Sequence, residues 1–322
     1  MGGLLDPAVA TARNRVRDNL ADLSPGSRLV LAVSGGADSL ALAVVTAFVS
    51  AKLGHSLEAV IVDHQLQAGS AVVATDALNR VESLDIKGRV VTVSVGTEGG
   101  MEAAARHARY AVFDALEDVD AVLLGHTLDD QAETVLLGLG RGSGSRSIAG
   151  MAPADGRYRR PFLGVTRKQT ETICRASGID WWTDPHNSDP AYTRVRLRLE
   201  VLPLLEDVLG GGVAQALART ADFLRHDNAF IDAAAATHTG PLIVAALAEL
   251  PSAIRGRVLR TAALDAGADP SELAAHHIRG IDELVTRWHG QERIELPGGV
   301  AAVRVGDALT FRPTPVAGWS SG

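Results

Sequence analysis

The 322-residue chain holds a single cysteine, Cys174, and only 4% aromatic residues. One cysteine excludes an internal disulfide and a CxxC metal or redox pair. Long apolar runs are lacking as well. The longest, just after Ser39, is too short to span a bilayer, so no membrane partner is expected. The opening MGGLLDPAVATARNRVRDNL has neither the basic start nor the apolar core of a signal peptide, which makes a cytoplasmic setting the expectation. Two familiar phosphate-loop patterns are also missing. No Lys-Ser/Thr pair closes a glycine loop, and GxGxxG does not occur.

What is present is an ordinary globular composition, 46% hydrophobic and 21% charged, with length enough for two domains. The net charge of −7 hides a local reversal. Arg141, Arg146, Arg157, Arg159, Arg160, Arg167 and Lys168 face only Asp155 in sequence, and Arg194, Arg196 and Arg198 follow. Steering of a polyanion depends on such clusters rather than on the total. A solvated arginine face would give the same pattern.

The most informative stretch is LVLAVSGGADS, Leu29–Ser39. An apolar run reads as a strand, Ser34-Gly35-Gly36-Ala37-Asp38-Ser39 as a loop, and Leu40–Leu53 as a helix. Adjacent glycines let backbone N–H groups converge on an anion, and the following helix aims its N-terminus at the same place. Ser34 and Ser39 can donate hydroxyls to phosphate, and Asp38 can hold the accompanying magnesium.

Further strands are read at Leu57–Asp63, Arg89–Val95 and Asp120–Gly125, with helical crossovers including Glu102–Glu117. Nearly all-apolar strands separated by helices predict an α/β fold with a doubly wound parallel sheet. Ligands of such sheets sit at the carboxyl ends of the strands, so Ser34, Asp63-His64 and Gly125-His126 should share one crevice. Past Gly178 the pattern changes. A helix is expected over Thr193–Leu209, then a break at Gly210-Gly211-Gly212, about three amphipathic helices and a terminal β-meander. The reading divides the chain into a catalytic domain, residues 1–208, and a small, mainly helical domain, residues 209–322.

The second informative segment is GHTLDDQAETVLLGLGRGSG, Gly125–Gly144. A helix from Leu128 puts Asp129, Asp130 and Glu133 about one turn apart. Acids in a first turn also simply complement a helix dipole.

At this point a resemblance becomes specific. SGGADS is similar to the loop of the ATP pyrophosphatase (PP-loop) superfamily. GHTLDDQAET resembles the second signature of its tRNA(Ile) lysidine synthetases. VDHQL, MEAAARHARY, RGSGSRSIAGM, RPFLGVTR and DPHNSDPAYTRVRLRLEVLPLLE resemble further family segments in the same order. There are departures: Gln65 and Gln67 stand where Gly and Arg are usual, His186 where Ser is, and Val195 where Asn is.

The resemblance implies ATP, Mg²⁺, free L-lysine and a tRNA(Ile) with a CAU anticodon, and it leaves room for a homodimer. The cytosine O2 would attack the α-phosphate, and the lysine amine would then displace AMP. The loop residues Ser34 to Ser39 would hold the phosphates, with Ile61, Asp63, Gly125 and His126 around the nucleotide. Asp38 and Asp130 are the metal candidates, and Arg106 and Arg109 the candidates for stabilising the leaving phosphates. Asp129 and Glu133 stand equally for handling the lysine amine. Arg141, Arg146, Arg160, Arg167, Arg194, Arg196 and Arg198, together with the C-terminal domain, are the expected tRNA contacts. Three other readings compete. A thiolase would need sulfur-relay cysteines, and an amidating enzyme a separate ammonia-producing domain. An ATP sensor would leave the acidic helix and the arginines unexplained.

Overall fold

The computed structural model describes residues 5–67, 69–96, 100–142 and 144–314. By packing, the chain divides into two compact units, Met1–Leu137 with Gly150–Thr220 and Gly138–Ala149 with Ala221–Gly322.

In the first unit α1 (Pro7–Asn19) precedes β1 (Arg28–Val33), α2 (Ala37–Leu53), β2 (Ser56–Asp63), α3 (Ser70–Glu82), β3 (Lys87–Thr92), α4 (Met101–Asp114) and β4 (Ala121–Leu124). The chain goes on through α5 (Leu128–Arg141), whose end belongs with α6 (Ser145–Ile148) to the second unit, and then, back in the first, the short strands β5 (Ala154–Asp155) and β6 (Tyr158–Arg159), and α7 (Arg167–Ala176). The sheet order is β3-β2-β1-β4-β6-β5, parallel except for β5 against β6.

Alternate residues of the central strands enter different cores. Leu29, Leu31, Val33, Ala59, Ile61, Ala121 and Leu123 pack with α1, α2, α3 and α7. Val30, Val60, Val122 and Leu124 pack on the opposite face around Phe113 of α4. Both faces are covered, which is why the strands read as continuous apolar runs rather than alternating ones. The arrangement is the parallel-dominated α/β sheet expected from sequence.

Two local expectations are revised. α2 starts three residues earlier than Leu40, at Ala37, so Asp38 belongs to its first turn. The single helix expected over Thr193–Leu209 is instead α8 (Thr193–Arg196), a wide π turn (Leu197–Val201) and α9 (Leu202–Val208). Pro203 lies in the first turn of α9 and has no N–H to continue a regular ladder, so the chain widens just before it.

The long helix α10 (Val213–Ala236) runs into the second unit, which adds β7 (Leu242–Ile243), α11 (Val244–Glu249), α12 (Ser252–Asp265) and α13 (Ala275–Thr286). The end is a β-meander of β8 (Ile294–Leu296), β9 (Val300–Val305) and β10 (Ala308–Pro313), as expected. β7 joins it to make an antiparallel sheet of order β7-β10-β9-β8. Leu259, Ile281, Leu284, Ala302 and Leu309 are among the buried residues of this unit's own core. Among the described residues, no single helix is long and apolar enough to cross a membrane.

Candidate active site

The glycine loop follows β1 and opens directly into α2. Gly35 adopts φ +83°, and a Cβ there would lie 3.2 Å from the Ala77 Cβ, so both backbone hand and space favour glycine. Ser39 Oγ donates to the Gly36 carbonyl at 3.0 Å and accepts from the Ser34 N–H at 3.2 Å, which closes the turn on itself. The Trp182 N–H donates to the Gly35 carbonyl at 2.9 Å and braces the loop from outside. Gly36 caps α2 with no side-chain hydrogen bond. The first-turn N–H groups are left for an anion, with the positive end of the helix dipole behind them.

β4 delivers the second element. Gly125 passes so close to the start of α2 that an added Cβ would sit 3.2 Å from the Asp38 carbonyl and the Ser39 Cα. These are backbone atoms and cannot swing away. Gly125→Ala is therefore expected to lower stability by about 1–3 kcal/mol and to weaken ATP binding. Urea unfolding and equilibrium nucleotide binding would check this, and unchanged values for both would refute it.

Thr127 and Asp130 then start α5. The Thr127 N–H and hydroxyl both donate to Asp130 Oδ2, at 2.8 and 2.9 Å. Asp130 Oδ1 accepts from the Arg167 guanidinium. Arg167 Nε lies 3.7 Å from Asp38 Oδ2, and Thr170 donates its hydroxyl to Asp38 Oδ1. Asp129 is turned to the backbone, accepting the Arg167 N–H at 3.0 Å. Asp38, Asp129, Asp130, Arg167 and Thr170 thus form one cluster drawn from α2, α5 and α7.

The protonation states follow from burial and neighbours. Burial pushes Asp38 up to about 6, against the pull of Arg167 and Thr170, and Asp130 and Asp129 add to the rise. Burial acts the same way on Asp130, but Arg167 and the Thr127 bonds outweigh it and hold its carboxyl below the ordinary value. Among the described residues, no group of three or more His, Cys, Asp or Glu side chains could cage a metal by itself. Two carboxylates flanking a cation fit Mg²⁺, which takes one or two protein oxygens and completes its shell with water and phosphate.

Glu133 lies one turn further along α5 and is fully buried. Arg198, in the π turn, donates Nε to Glu133 Oε1 at 2.8 Å, and Arg194 Nη1 is 3.7 Å from Oε2. Burial raises the Glu133 carboxyl above its ordinary value despite Arg198.

Asp63, His64, His126 and Arg109 lie near one another, Arg109 close enough to act on both imidazoles and Asp63 on His64. Burial lowers Arg109 and His64 from their ordinary values and takes His126 down to about 4, so that imidazole is neutral at physiological pH. Arg106 is exposed, with its guanidinium carbon 4.6 Å from the Tyr110 ring. Ile61 lies inside the sheet, paired with Val33 and Val90, with its side chain buried.

Two departures from the family pattern meet in space. Gln67 Nε2 is 3.2 Å from Asp184 Oδ1 and 2.6 Å from His186 Nδ1. The amide replaces a cation, and the imidazole replaces a hydroxyl, at one contact. Gln65, standing where glycine is usual, has φ +54°, and its N–H donates to Asp63 Oδ1 at 3.0 Å. Because a side chain is strained there, Gln65→Gly is expected to gain about 0.5 kcal/mol, read as a higher urea midpoint. A lower midpoint would contradict the strain argument. Val195 is buried, which accounts for an apolar residue in place of asparagine.

The seven arginines assigned to tRNA separate. Arg141 and Arg196 are exposed, Arg196 against Glu200, while Arg146 is half exposed and pairs with Asp232. Arg160 is 6% exposed and donates to the Ala152 carbonyl, and Arg167 and Arg198 are turned to acids. Those three, and Arg194 in part, serve the interior of the first unit rather than an outer face, because the acids of α5 reach Arg167, Arg198 and Arg194 first and a backbone carbonyl holds Arg160. A basic group went unnoticed in the sequence. In the second unit Arg257 shares Asp232 with Arg146, and burial together with Arg146 lowers both Arg257 and Arg260. Its sequence signal was the spacing of arginines along α12.

A glycine loop opening a helix at the end of a central parallel strand, beside carboxylates from the helix after β4, defines a PP-loop nucleotide-binding domain. The PP-loop domain model matches residues 9–205, and a model described as the TilS substrate binding domain matches residues 242–310. The chain belongs to the tRNA(Ile)-lysidine synthase family. It is 53% identical to the tRNA(Ile)-lysidine synthase of Thermobifida fusca, covering 91% of this chain and 94% of that one. Identity to the synthase of Streptomyces coelicolor is 52%, over 89% and 86%, and to that of Mycobacterium tuberculosis 53%, over 85% and 84%. Among solved structures, the U34-tRNA thiolase NcsA from Methanococcus maripaludis, which carries a [4Fe-4S] cluster, superimposes with a TM-score of 0.58. It has 17% identity over 68% of this chain and 80% of that one, a likeness of fold.

Proposed function

We propose that the protein uses ATP to join L-lysine to C2 of the wobble cytidine in a tRNA(Ile) with a CAU anticodon, through an adenylated cytidine. The tRNA would then read AUA instead of AUG. The observation that carries the reading is the group of residues gathered at the carboxyl ends of β1 and β4. There an anion loop and a carboxylate pair lie beside a buried glutamate braced by arginine. The relatives' shared name supports the substrate, and the match over residues 242–310 supports a tRNA role for the second unit.

In the first step the cytosine O2 attacks the α-phosphate and pyrophosphate leaves. The first-turn N–H groups of α2 and the Ser34 and Ser39 hydroxyls are assigned to the phosphates, with Arg109 and Arg106 facing the charge that builds on them. Mg²⁺ held by Asp38 and Asp130 would neutralise part of that charge. Asp63, Gly125 and His126 are assigned to the nucleoside. In the second step the lysine ε-amine must be neutral to attack C2, and AMP departs. Glu133, raised by burial, is assigned the proton the amine loses, with Arg198 orienting it. Asp129 is already engaged with the α7 backbone. Arg141, Arg146, Arg194 and Arg196 are assigned to tRNA phosphates, so affinity falls with salt. This reading implies a cytoplasmic setting.

The test is incorporation of labelled lysine into unmodified tRNA(Ile) bearing CAU, with tRNA(Met) as control. Lysine in the first tRNA alone supports the reading. Pyrophosphate release without lysine would overturn the nucleophile, and release of neither by folded protein would overturn the reaction.

A further inference from the structure

Asp38 and Asp130 come from different helices and share one cation, the guanidinium of Arg167. Two largely buried carboxylates with no cation between them would repel strongly in a poorly solvated site. Arg167 is anchored by its backbone, while its side chain spans the two carboxylates. It is the first residue of α7, where Thr166 and Gln169 form a reciprocal cap and the Arg167 N–H is held by Asp129. Its grip on Asp38 is loose. Nε is 3.7 Å away and is a buried donor without a hydrogen-bond partner. Thr170 holds Asp38 Oδ1, while Thr127 holds Asp130 Oδ2, so the oxygens that a metal would take are the two that face Arg167. A guanidinium donates to such oxygens and cannot share them with an ion that needs their lone pairs.

We propose that Arg167 is a built-in placeholder for the divalent ion. Without nucleotide its guanidinium closes the Asp38–Asp130 gap and excludes free metal. When metal arrives with ATP, the side chain leaves the gap and takes the phosphates as its new partner. This rests on the reading above that Asp38 and Asp130 hold Mg²⁺ beside the glycine loop. The driving force is exchange. The metal brings two charges to the carboxylates, and the triphosphate supplies anionic oxygens to which arginine binds well. Free Mg²⁺ offers the first gain without the second, so it should not open the site. Arg167 is thereby a gate on metal entry, a role distinct from the tRNA contact expected of it from sequence.

Mn²⁺ binding followed by electron paramagnetic resonance tests this in the full-length protein. Without nucleotide, wild type should bind Mn²⁺ weakly. Arg167→Gln should bind it at least ~10-fold more tightly, the equilibrium equivalent of about 1.4 kcal/mol. The gain should vanish in the Arg167→Gln/Asp130→Asn double variant, and Arg167→Lys, which keeps the charge, should stay close to wild type. Equal affinities of wild type and Arg167→Gln would overturn the proposal. The unmodified protein gives an independent check that does not depend on any variant folding. Millimolar Mg²⁺ alone should leave its melting temperature unchanged, whereas Mg²⁺ with a non-hydrolysable ATP analogue should raise it. A rise with Mg²⁺ alone would also overturn the gate. If wild type binds neither Mn²⁺ nor the analogue under any condition, the metal–nucleotide reading itself fails, an outcome distinct from the loss of gating.

Discussion

Asp38→Asn is expected to silence the protein and at neutral pH to stabilise it. The activity loss should be at least about 10³-fold, because a carboxylate assigned to the metal is removed while the charge on the leaving phosphates still has to be offset. The stability change follows from linkage. Asp38 titrates near 6 in the fold against an ordinary value of 3.8, so the folded chain prefers the protonated form. Its stabilising contribution is complete below about pH 4 and is lost as the pH rises past 6. At pH 7.5 the ionised group therefore strains the fold by about 3 kcal/mol. Asparagine cannot ionise, and its Oδ1 still accepts the Thr170 hydroxyl. The variant should match wild type near pH 4 and exceed it by about 3 kcal/mol at pH 7.5. Urea midpoints at the two pH values decide the matter. A variant less stable at pH 7.5, or a difference independent of pH, would remove burial as the cause of the shift.

The parts of this site that the sequence announces are those made from neighbouring residues. Apolar runs mark β1, β2 and β4. The Gly35-Gly36 pair marks a turn that no side chain could make, and the acids of α5 mark a first helical turn. Gln65 also left a signal, since a residue in place of glycine foretells a positive φ. The arginines show the opposite. Arg167 and Arg198 look in sequence like part of a polyanion-binding face, yet their partners are set by distant residues. Asp130 lies 37 residues before Arg167, and Glu133 lies 65 before Arg198. Charge along a chain does not say which way a side chain turns once buried acids compete with solvent. The π turn that carries Arg198 was equally hidden, because it depends on where Pro203 falls relative to a helix that is otherwise regular. The Gln67–His186 contact, 119 residues apart, shows how two separate departures become one local exchange.

Glu133 offers the sharpest separation of the two proposed steps. It is fully buried, and Arg198 is 19% exposed beside it. Truncating it to alanine would leave a guanidinium without its carboxylate, at a cost of about 3–5 kcal/mol, so Glu133→Ala is expected to unfold at markedly lower urea. Glutamine is the gentler probe. Burial already favours the neutral form of Glu133, and a glutamine Oε1 can accept from Arg198 Nε. Glu133→Gln should therefore lose no more than about 1–2 kcal/mol. Its amide cannot take a proton from the lysine ammonium, so lysine transfer should fall at least about 10²-fold. Nothing in the attack on the α-phosphate requires that carboxylate. Pyrophosphate release dependent on tRNA should persist in Glu133→Gln, and adenylated tRNA should accumulate. Asp129→Asn supplies the contrast, because Asp129 is occupied by the Arg167 N–H and should act through the stability of the α7 start rather than through the amine. If Glu133→Gln transfers lysine at the wild-type rate while Asp129→Asn does not, the proton acceptor is Asp129. If both partial reactions fall together in Glu133→Gln, the glutamate serves the geometry of the whole crevice instead of the amine.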